Sequence, residues 1–224
     1  MPTVRDIEQA LFALAPKELA MSWDNVGQLL GDPDLEVSRV LVALDITEAV
    51  ADEAIERDCQ LIVAHHPVMN CKWLPVQTVR SDTPQGHLLL KLLRSGVSAV
   101  CMHTNLDIAE GGVNDRLAQA LELIDPGPLG DPEGLCRMGT LAAPMSLEDF
   151  AIAAGCDTFV TSDLTYHTFL DAKGKGINLM DAGHFPTEDP VCETLVSYLA
   201  AQFPELTVIK SASHREVIQY LVKD

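Results

Sequence analysis

The stretch VLVALDITEAVADEAIERDCQLIVAHH, residues 40–66, contains two apolar, β-branched runs with a segment of helical spacing between them. The runs cover residues 40–46 and 60–66, and the segment between them covers residues 47–58. Apolar runs of this length are typical of buried strands, and Thr47 is a suitable N-cap for the helix. A strand, a helix and a strand in succession predict a right-handed crossover between parallel strands. The stretch therefore predicts an α/β fold.

The same order of helix and strand returns further along the chain. We predict helices at residues 86–94, 113–123, 166–173 and 190–203, and strands at residues 97–102, 157–161, 177–180 and 206–209. Residues 125–139 hold three prolines and four glycines, which is typical of a connector. We therefore predict two lobes, residues 1–125 and 126–224.

The composition excludes several classes of protein. The 224 residues include 33 acidic and 15 basic side chains, which give a formal net charge of −18. A surface of this charge repels nucleic-acid phosphates and anionic lipid, so we expect no nucleic acid and no membrane as partner. Neither a signal-peptide pattern nor a long apolar run is present, so we expect a cytoplasmic location. The six cysteines are scattered, which favours reduced, buried thiols over disulfides or a cysteine-rich zinc site.

Histidines and carboxylates follow three of the predicted strands, each at the carboxyl end. Ligands of open α/β sheets bind in the crevice beyond these ends, because the loops converge there. Imidazole and carboxylate donors without thiolate suit Zn, Mn, Fe, Co or Ni. The donors suffice for two divalent ions bridged by one carboxylate, and such pairs commonly activate a water for hydrolysis. The candidate metal ligands are His65, His66, Asp107, His184 and Glu188.

Two of these clusters also have interpretations that need no metal. His65 and His66 are alternatively two hydrogen-bonded histidines at a strand end, because adjacent side chains on an extended strand point to opposite sides. Asp107 or Asn105 is alternatively the cap of a helix that begins near Val113. The residues alone leave these alternatives open.

The third cluster precedes the predicted helix 190–203. We therefore predict that His184 and Glu188 lie in a loop. Their four-residue spacing is then a loop arrangement and not the helical pair of metal ligands found in zinc proteases. Glu188 is alternatively an acidic residue that interacts favourably with the dipole of the following helix.

Five stretches of the chain resemble, in order, the motifs of one family. The stretches are SWDNVG at 22–27, LIVAHHP at 61–67, HTNLD at 103–107, TSDLTYH at 161–167 and DAGHFPTE at 181–188. Over nearly the whole chain, the ordered set resembles the family of the GTP cyclohydrolase 1 type 2 homologs. This family binds a pair of metal ions and is also described as similar to NGG1-interacting factor. The resemblance implies two α/β lobes with mixed, largely parallel sheets that flank a shared dinuclear metal cleft. It also implies assembly as a toroidal hexamer.

The resemblance assigns a role to each candidate ligand. It implies that His65 and His184 bind one ion, that His66 and Asp107 bind the other, and that Glu188 bridges both.

Four further residues match motif positions that we place around the site, namely His103, Asp163, Tyr166 and His167. From their position, His103 and His167 are the candidate catalytic residues, in the role of a proton shuttle.

The sequence departs from the family near residues 150 and 151. Family members usually carry a helix, a strand and a Gly-rich turn there, and some insert an extra domain. Almost nothing intervenes in this chain. We therefore expect that this family segment is missing from the sequence, because the flanking motifs are all present. The alternative is a second lobe that is truly shortened and lacks one parallel strand.

Two functions of different classes follow from these expectations. The first is a metal-dependent hydrolase of the GTP cyclohydrolase type, in which two divalent ions hold a bridging water that attacks a nucleotide-like small molecule. The alternative is a non-catalytic metal-binding protein with a regulatory or interaction role. An open coordination position is expected of the hydrolase and a closed one of a structural site.

Overall fold

The computed structural model describes residues 1–70, 75–130, 134–141 and 157–219. The α-helices in these ranges are α1 (Val4–Leu14), α2 (Glu48–Glu56), α3 (Pro84–Arg94), α4 (Thr104–Ile108), α5 (Val113–Ala120), α6 (Tyr166–Gly174), α7 (His184–Glu188) and α8 (Pro190–Gln202). The strands are β1 (Gly27–Leu30), β2 (Arg39–Ala43), β3 (Leu61–Ala64), β4 (Ser98–Cys101), β5 (Ile124–Pro128), β6 (Arg137–Thr140), β7 (Thr158–Thr161), β8 (Asn178–Asp181) and β9 (Thr207–Lys210). A short 3₁₀ helix covers Lys17–Leu19.

A five-stranded sheet with the order β1-β4-β3-β2-β9 forms the centre of the fold. Only β1 is antiparallel to its neighbour, and β4, β3, β2 and β9 run parallel. All residues of β3 and β4 are buried, as expected of parallel strands that are covered on both faces. The predicted parallel pairing of β2 and β3 is confirmed, and the protein has a mixed α/β fold with a mostly parallel central sheet.

The helix α2 begins where the sequence predicts. The Thr47 hydroxyl accepts a hydrogen bond from the backbone N–H of Val50 at 3.2 Å, which satisfies a donor at the helix N-terminus. Val50, Ala51 and Ala54 are buried in one core cluster with residues of β2, β3 and α3. One face of α2 therefore packs against the sheet. In the part of the chain that the structure describes, no helix combines the length and apolar character needed to cross a bilayer.

The chain divides into two compact units, which differ from the predicted lobes 1–125 and 126–224. Unit 1 comprises residues 1–112 and the chain from residue 191, and unit 2 comprises residues 113–190. The C-terminal residues belong to unit 1 because β9 pairs with β2 in the central sheet. Unit 2 contains an antiparallel pair, β5 with β6, and a parallel pair, β7 with β8.

The connector predicted at residues 125–139 is wrong for the described residues, because β5 and β6 pair within this stretch. Glycine and proline are tolerated here since both strands are edges of a two-stranded sheet, and the register shifts between Ile124 and Gly127. The family segment expected near residues 150 and 151 falls outside the described residues. So do Cys71 and Cys156. Of the four described cysteines, all are free thiols; Cys59, Cys101 and Cys192 are buried, as predicted, and Cys136 is half-buried.

Glu53 on α2 is a buried carboxylate that anchors the C-terminal segment of unit 1. It accepts hydrogen bonds from the Ser211 hydroxyl at 2.6 Å and from the backbone N–H groups of Ala212 and Ser213 at 3.1 and 2.9 Å. Burial disfavours the charged carboxylate, but these hydrogen bonds outweigh it and lower the pKa of Glu53 to about 2 from its ordinary value of 4.5.

Replacement of Glu53 by Gln should lower the free energy of unfolding at pH 7 by roughly 1–3 kcal/mol, because hydrogen bonds to a charged acceptor are lost. The folded pKa lies below the unfolded pKa, so the carboxylate stabilises the fold fully above pH 4.5 and loses this effect as the pH falls towards 2. Urea unfolding at pH 7, 4.5 and 2.5 should show a shrinking difference between wild type and Glu53→Gln. Glu56→Gln, an exposed change on the same helix, is the control. A difference that is constant across this pH range would contradict the assignment.

Candidate metal centre

The carboxyl ends of β2, β3 and β4 lie side by side at one edge of the central sheet. Their last residues, Ala43, Ala64 and Cys101, are paired in register. Polar side chains that follow the three strands are therefore placed at the same edge. In chain order these side chains are Asp45, His65, His66 and His103.

Three imidazole rings cluster at this edge. The ring centroid of His65 lies 4.9 Å from that of His66 and 5.2 Å from that of His103, and the His66 and His103 centroids are 5.7 Å apart. Each ring offers one nitrogen, and the three nitrogens lie within 4.8 Å of one another. The adjacent His65 and His66 follow the end of β3 rather than lying within it, so the alternation of an extended strand does not separate their rings.

A backbone carbonyl determines which ring nitrogen of His65 carries the proton when the ring is neutral. Its Nδ1 lies 2.8 Å from the carbonyl oxygen of Met102. A carbonyl oxygen only accepts, so Nδ1 donates its proton, and in the neutral ring the lone pair is on Nε2. Histidines that bind metals are commonly oriented in this way, by an acceptor at the other ring nitrogen. Nε2 is therefore the candidate ligand atom of His65, and Oδ1 of Asp107 lies 3.4 Å from it.

Carboxylates have the same role for the other two rings. Nδ1 of His66 lies 2.7 Å from Oδ1 of Asp45, and Nδ1 of His103 lies 2.9 Å from Oδ1 of Asp24. Burial opposes the charge on Asp24, but the hydrogen bond from His103 helps to outweigh it and lower the pKa to about 2. Burial also opposes the charge on Asp45, and the interactions with His214 and His66 hold its pKa well below the usual range. Both carboxylates are therefore ionised acceptors at neutral pH.

Asp107 lies on α4, next to His65. Asn105 and Asp107 both lie inside α4, which ends at Ile108, whereas α5 begins at Val113. The alternative in which one of them caps α5 is therefore wrong. The side-chain amide of Asn105 instead donates to the carbonyl oxygen of Ala15 at 2.8 Å.

Unit 2 carries the second set of candidate ligands on α7. The loop predicted for these residues is wrong, because residues 184–188 form a helical turn that begins after Gly183. On a helix, residues four apart lie on one face, and Nε2 of His184 is 2.9 Å from Oε2 of Glu188. Nδ1 of His184 contacts Oδ2 of Asp163, so this ring also has a carboxylate at Nδ1. The helical turn is difficult to predict from the sequence because Pro186 is disfavoured in a helix interior, although proline is tolerated in a first turn.

His167, the other predicted proton shuttle, lies in unit 2. It is exposed on α6, and its ring centroid is 5.6 Å from that of Tyr166. Its role as a shuttle stays a prediction.

Sequence analysis missed the groups that orient the ligands. Asp24 lies in one of the family-like stretches, but the sequence pattern gives it no role. The rule that points to the carboxyl ends of parallel strands does single out Asp45, after β2, but gives it no role, and applied to β9 it would also have found His214. The carbonyl group of Met102 has no sequence signal, because every residue carries one.

The fold and these histidines define a mixed α/β protein with a candidate metal centre. The chain belongs to the Duf34/NIF3 (NGG1p interacting factor 3) family, whose model matches residues 2–154 and 150–216. The two matched stretches overlap at residues 150–154, at the place where we expect a family segment to be missing.

Curated relatives and solved structures agree with this membership. A GTP cyclohydrolase 1 type 2 homolog from Streptomyces coelicolor is 34% identical over 86% of this chain and 84% of its own length. A protein of the same name from Clostridium perfringens is 30% identical over 84% of this chain and 87% of its own length. A Bacillus cereus protein related to NIF3 has a TM-score of 0.85 at 20% identity over 99% of both chains. Staphylococcus aureus protein SA1388 has a TM-score of 0.82 at 23% identity over 98% of this chain and 99% of its own. Both solved structures share the fold of this chain.

We predict that neutral His65 carries its proton on Nδ1 in the protein without metal, because the Met102 carbonyl can only accept. Long-range proton–nitrogen NMR correlations at pH 8 distinguish the two tautomers. His87, which is exposed on α3, serves as the reference for an unconstrained imidazole. A proton on Nε2 of His65 would contradict the assignment of Nε2 as the ligand atom.

Proposed function

We propose that the chain is a metal-dependent hydrolase that holds two divalent ions and acts on a nucleotide-like small molecule. The observation that carries the proposal is the cluster of His65, His66 and His103, in which an acceptor holds each Nδ1. Donors of this type suit Zn, Fe, Mn, Co or Ni. The name of the relatives, GTP cyclohydrolase 1 type 2 homolog, supports a substrate of the GTP type.

The proposed ligands are those that the family resemblance assigns. His65 and His184 would hold one ion, His66 and Asp107 would hold the other, and Glu188 would be shared by both. In unit 1, the 3.4 Å distance between Oδ1 of Asp107 and Nε2 of His65 supports a place for both donors in one centre. In unit 2, the support is the pairing of His184 with Glu188 on one face of α7.

Divalent ions bound by these residues would supply a water that ionises near neutral pH and attacks the substrate. We assign proton transfer to His103, whose ring is held by Asp24 and lies beside the ligands His65 and His66. Trp23 is 43% exposed, and its ring meets that of His103 edge to face at a centroid distance of 6.1 Å. An exposed aromatic ring at this position can stack against a planar base.

The alternative is a metal-binding protein with a regulatory or interaction role. The family description, NGG1p interacting factor 3, favours it because it names an interaction rather than a reaction. The homo-hexamer and the cytoplasmic location stay predictions, and so does the absence of nucleic-acid and membrane partners.

We predict close to two transition-metal ions per chain in protein purified without chelator, and a loss of metal in Glu188→Ala, because the bridging carboxylate holds both ions. Elemental analysis measures the content directly. Glu205→Ala removes an exposed carboxylate and should retain both ions. A wild type that holds no metal after reconstitution, or a Glu188→Ala protein with full content, would contradict the proposed centre.

Replacement of His103 by Gln should leave metal content unchanged and lower the hydrolysis rate by about 10²–10⁴-fold, the usual contribution of a general acid or base. GTP consumption by the metal-loaded protein, followed by chromatography, measures the rate. His167→Gln, measured in parallel, tests the second candidate shuttle. Loss of metal in His103→Gln would show that His103 is a ligand instead. A metal-loaded wild type that leaves GTP unchanged would favour the interaction role.

A further inference from the structure

The last strand of the central sheet ends beside the candidate metal centre. β9 runs parallel to β2, and the backbone N–H of Ser211 donates to the carbonyl oxygen of Val42 at 2.7 Å, so the pairing continues past the strand. The chain after β9 therefore leaves the sheet at the same edge as the chain after β2. The chain after β2 leads to Asp45, which holds the ring of His66.

A buried carboxylate fixes the turn that follows β9. Besides its three hydrogen bonds to residues 211–213, Glu53 lies 3.0 Å from Nε of Arg57, so its charge is paired. The Ser211 hydroxyl, which donates to Glu53, accepts from the backbone N–H groups of Ser213 and His214 at 3.2 and 3.3 Å. A charged group is costly to bury unless it is hydrogen-bonded. These contacts connect Glu53 either to the turn at residues 211–213 or to Arg57 at the end of α2. The backbone position of His214 is thus set by a dedicated network.

The side chain of His214 reaches the carboxylate that orients His66. It is 9% exposed, and its Nε2 lies 3.2 Å from Oδ2 of Asp45. Oδ1 of the same carboxylate faces Nδ1 of His66 at 2.7 Å. One contact leaves a carboxylate able to rotate about its Cβ–Cγ bond, which has broad torsional preferences. The second contact, at the other oxygen, restricts this rotation, so His214 acts on His66 through Asp45.

We propose that His214 is a positioning residue of the metal centre, which fixes Asp45 and thereby directs Nε2 of His66 towards a divalent ion. The inference rests on the proposed metal function and adds to it a residue from the end of the chain. Outer partners of metal-binding histidines commonly change metal affinity by about 10–100-fold. His214 is two contacts away from the ion, so we expect a loss near the lower end of this range.

The test is a cobalt(II) titration of the full chain, followed by visible absorption and analysed as a dissociation constant for each site. His214→Phe keeps a ring of similar size but removes the donor, and we expect it to weaken one site by about tenfold. His214→Gln retains a donor near the position of Nε2 and should restore the wild-type affinity and spectrum. His87→Phe, an equivalent change at an exposed position on α3, should alter neither.

A merely structural role is separated from positioning by a double-variant cycle with Asp45→Ala. If His214 acts through Asp45, His214→Phe has no further effect on cobalt affinity in the Asp45→Ala background. Thermal unfolding of each variant reports any general destabilisation. Wild-type cobalt affinity in His214→Phe would overturn the inference and leave the proposed function intact. A wild type that binds no cobalt would overturn both.

Discussion

The candidate metal centre depends on the register of three parallel strands. β2, β3 and β4 end at paired residues, and each is followed within two residues by a polar group at the same edge of the sheet. A parallel sheet that is buried on both faces has few places for imidazoles and carboxylates other than the ends of its strands. The apolar pattern that builds the core thus also determines where the polar chemistry collects.

Acceptors from distant parts of the chain orient the three imidazoles of the candidate centre. Asp24 precedes β1, Asp45 follows β2, and the carbonyl group of Met102 follows β4, yet each holds one Nδ1 atom. These contacts restrict the orientation of each ring and place the proton of the neutral ring on Nδ1. A preorganised site loses less entropy on binding, so these acceptors should contribute to affinity as well as to geometry. His214, which follows the last strand β9, contacts Asp45 and so adds a further residue to the groups that orient His66.

The sequence predicted the parts of the fold in which local pattern and tertiary packing agree. The apolar runs of β2 and β3 and the cap at Thr47 led directly to the observed parallel unit. The sequence-based prediction failed where local preference is overridden, as in α7, which contains Pro186, and in β5, which contains two prolines and a glycine. The place of β9 in the first unit was also missed, because strand order depends on long-range pairing. The candidate ligands were recognised by residue type and motif, but their orienting partners come together only through the fold.

Anomalous diffraction from crystals grown with zinc tests the central claim most directly. Protein nitrogen binds zinc at about 2.0–2.1 Å, so the account predicts anomalous peaks at this distance from Nε2 of His65 and Nε2 of His66. Occupied zinc sites elsewhere on the molecule, with none near these atoms, would contradict it. So would ligation through Nδ1, because that atom is the one that the acceptors hold.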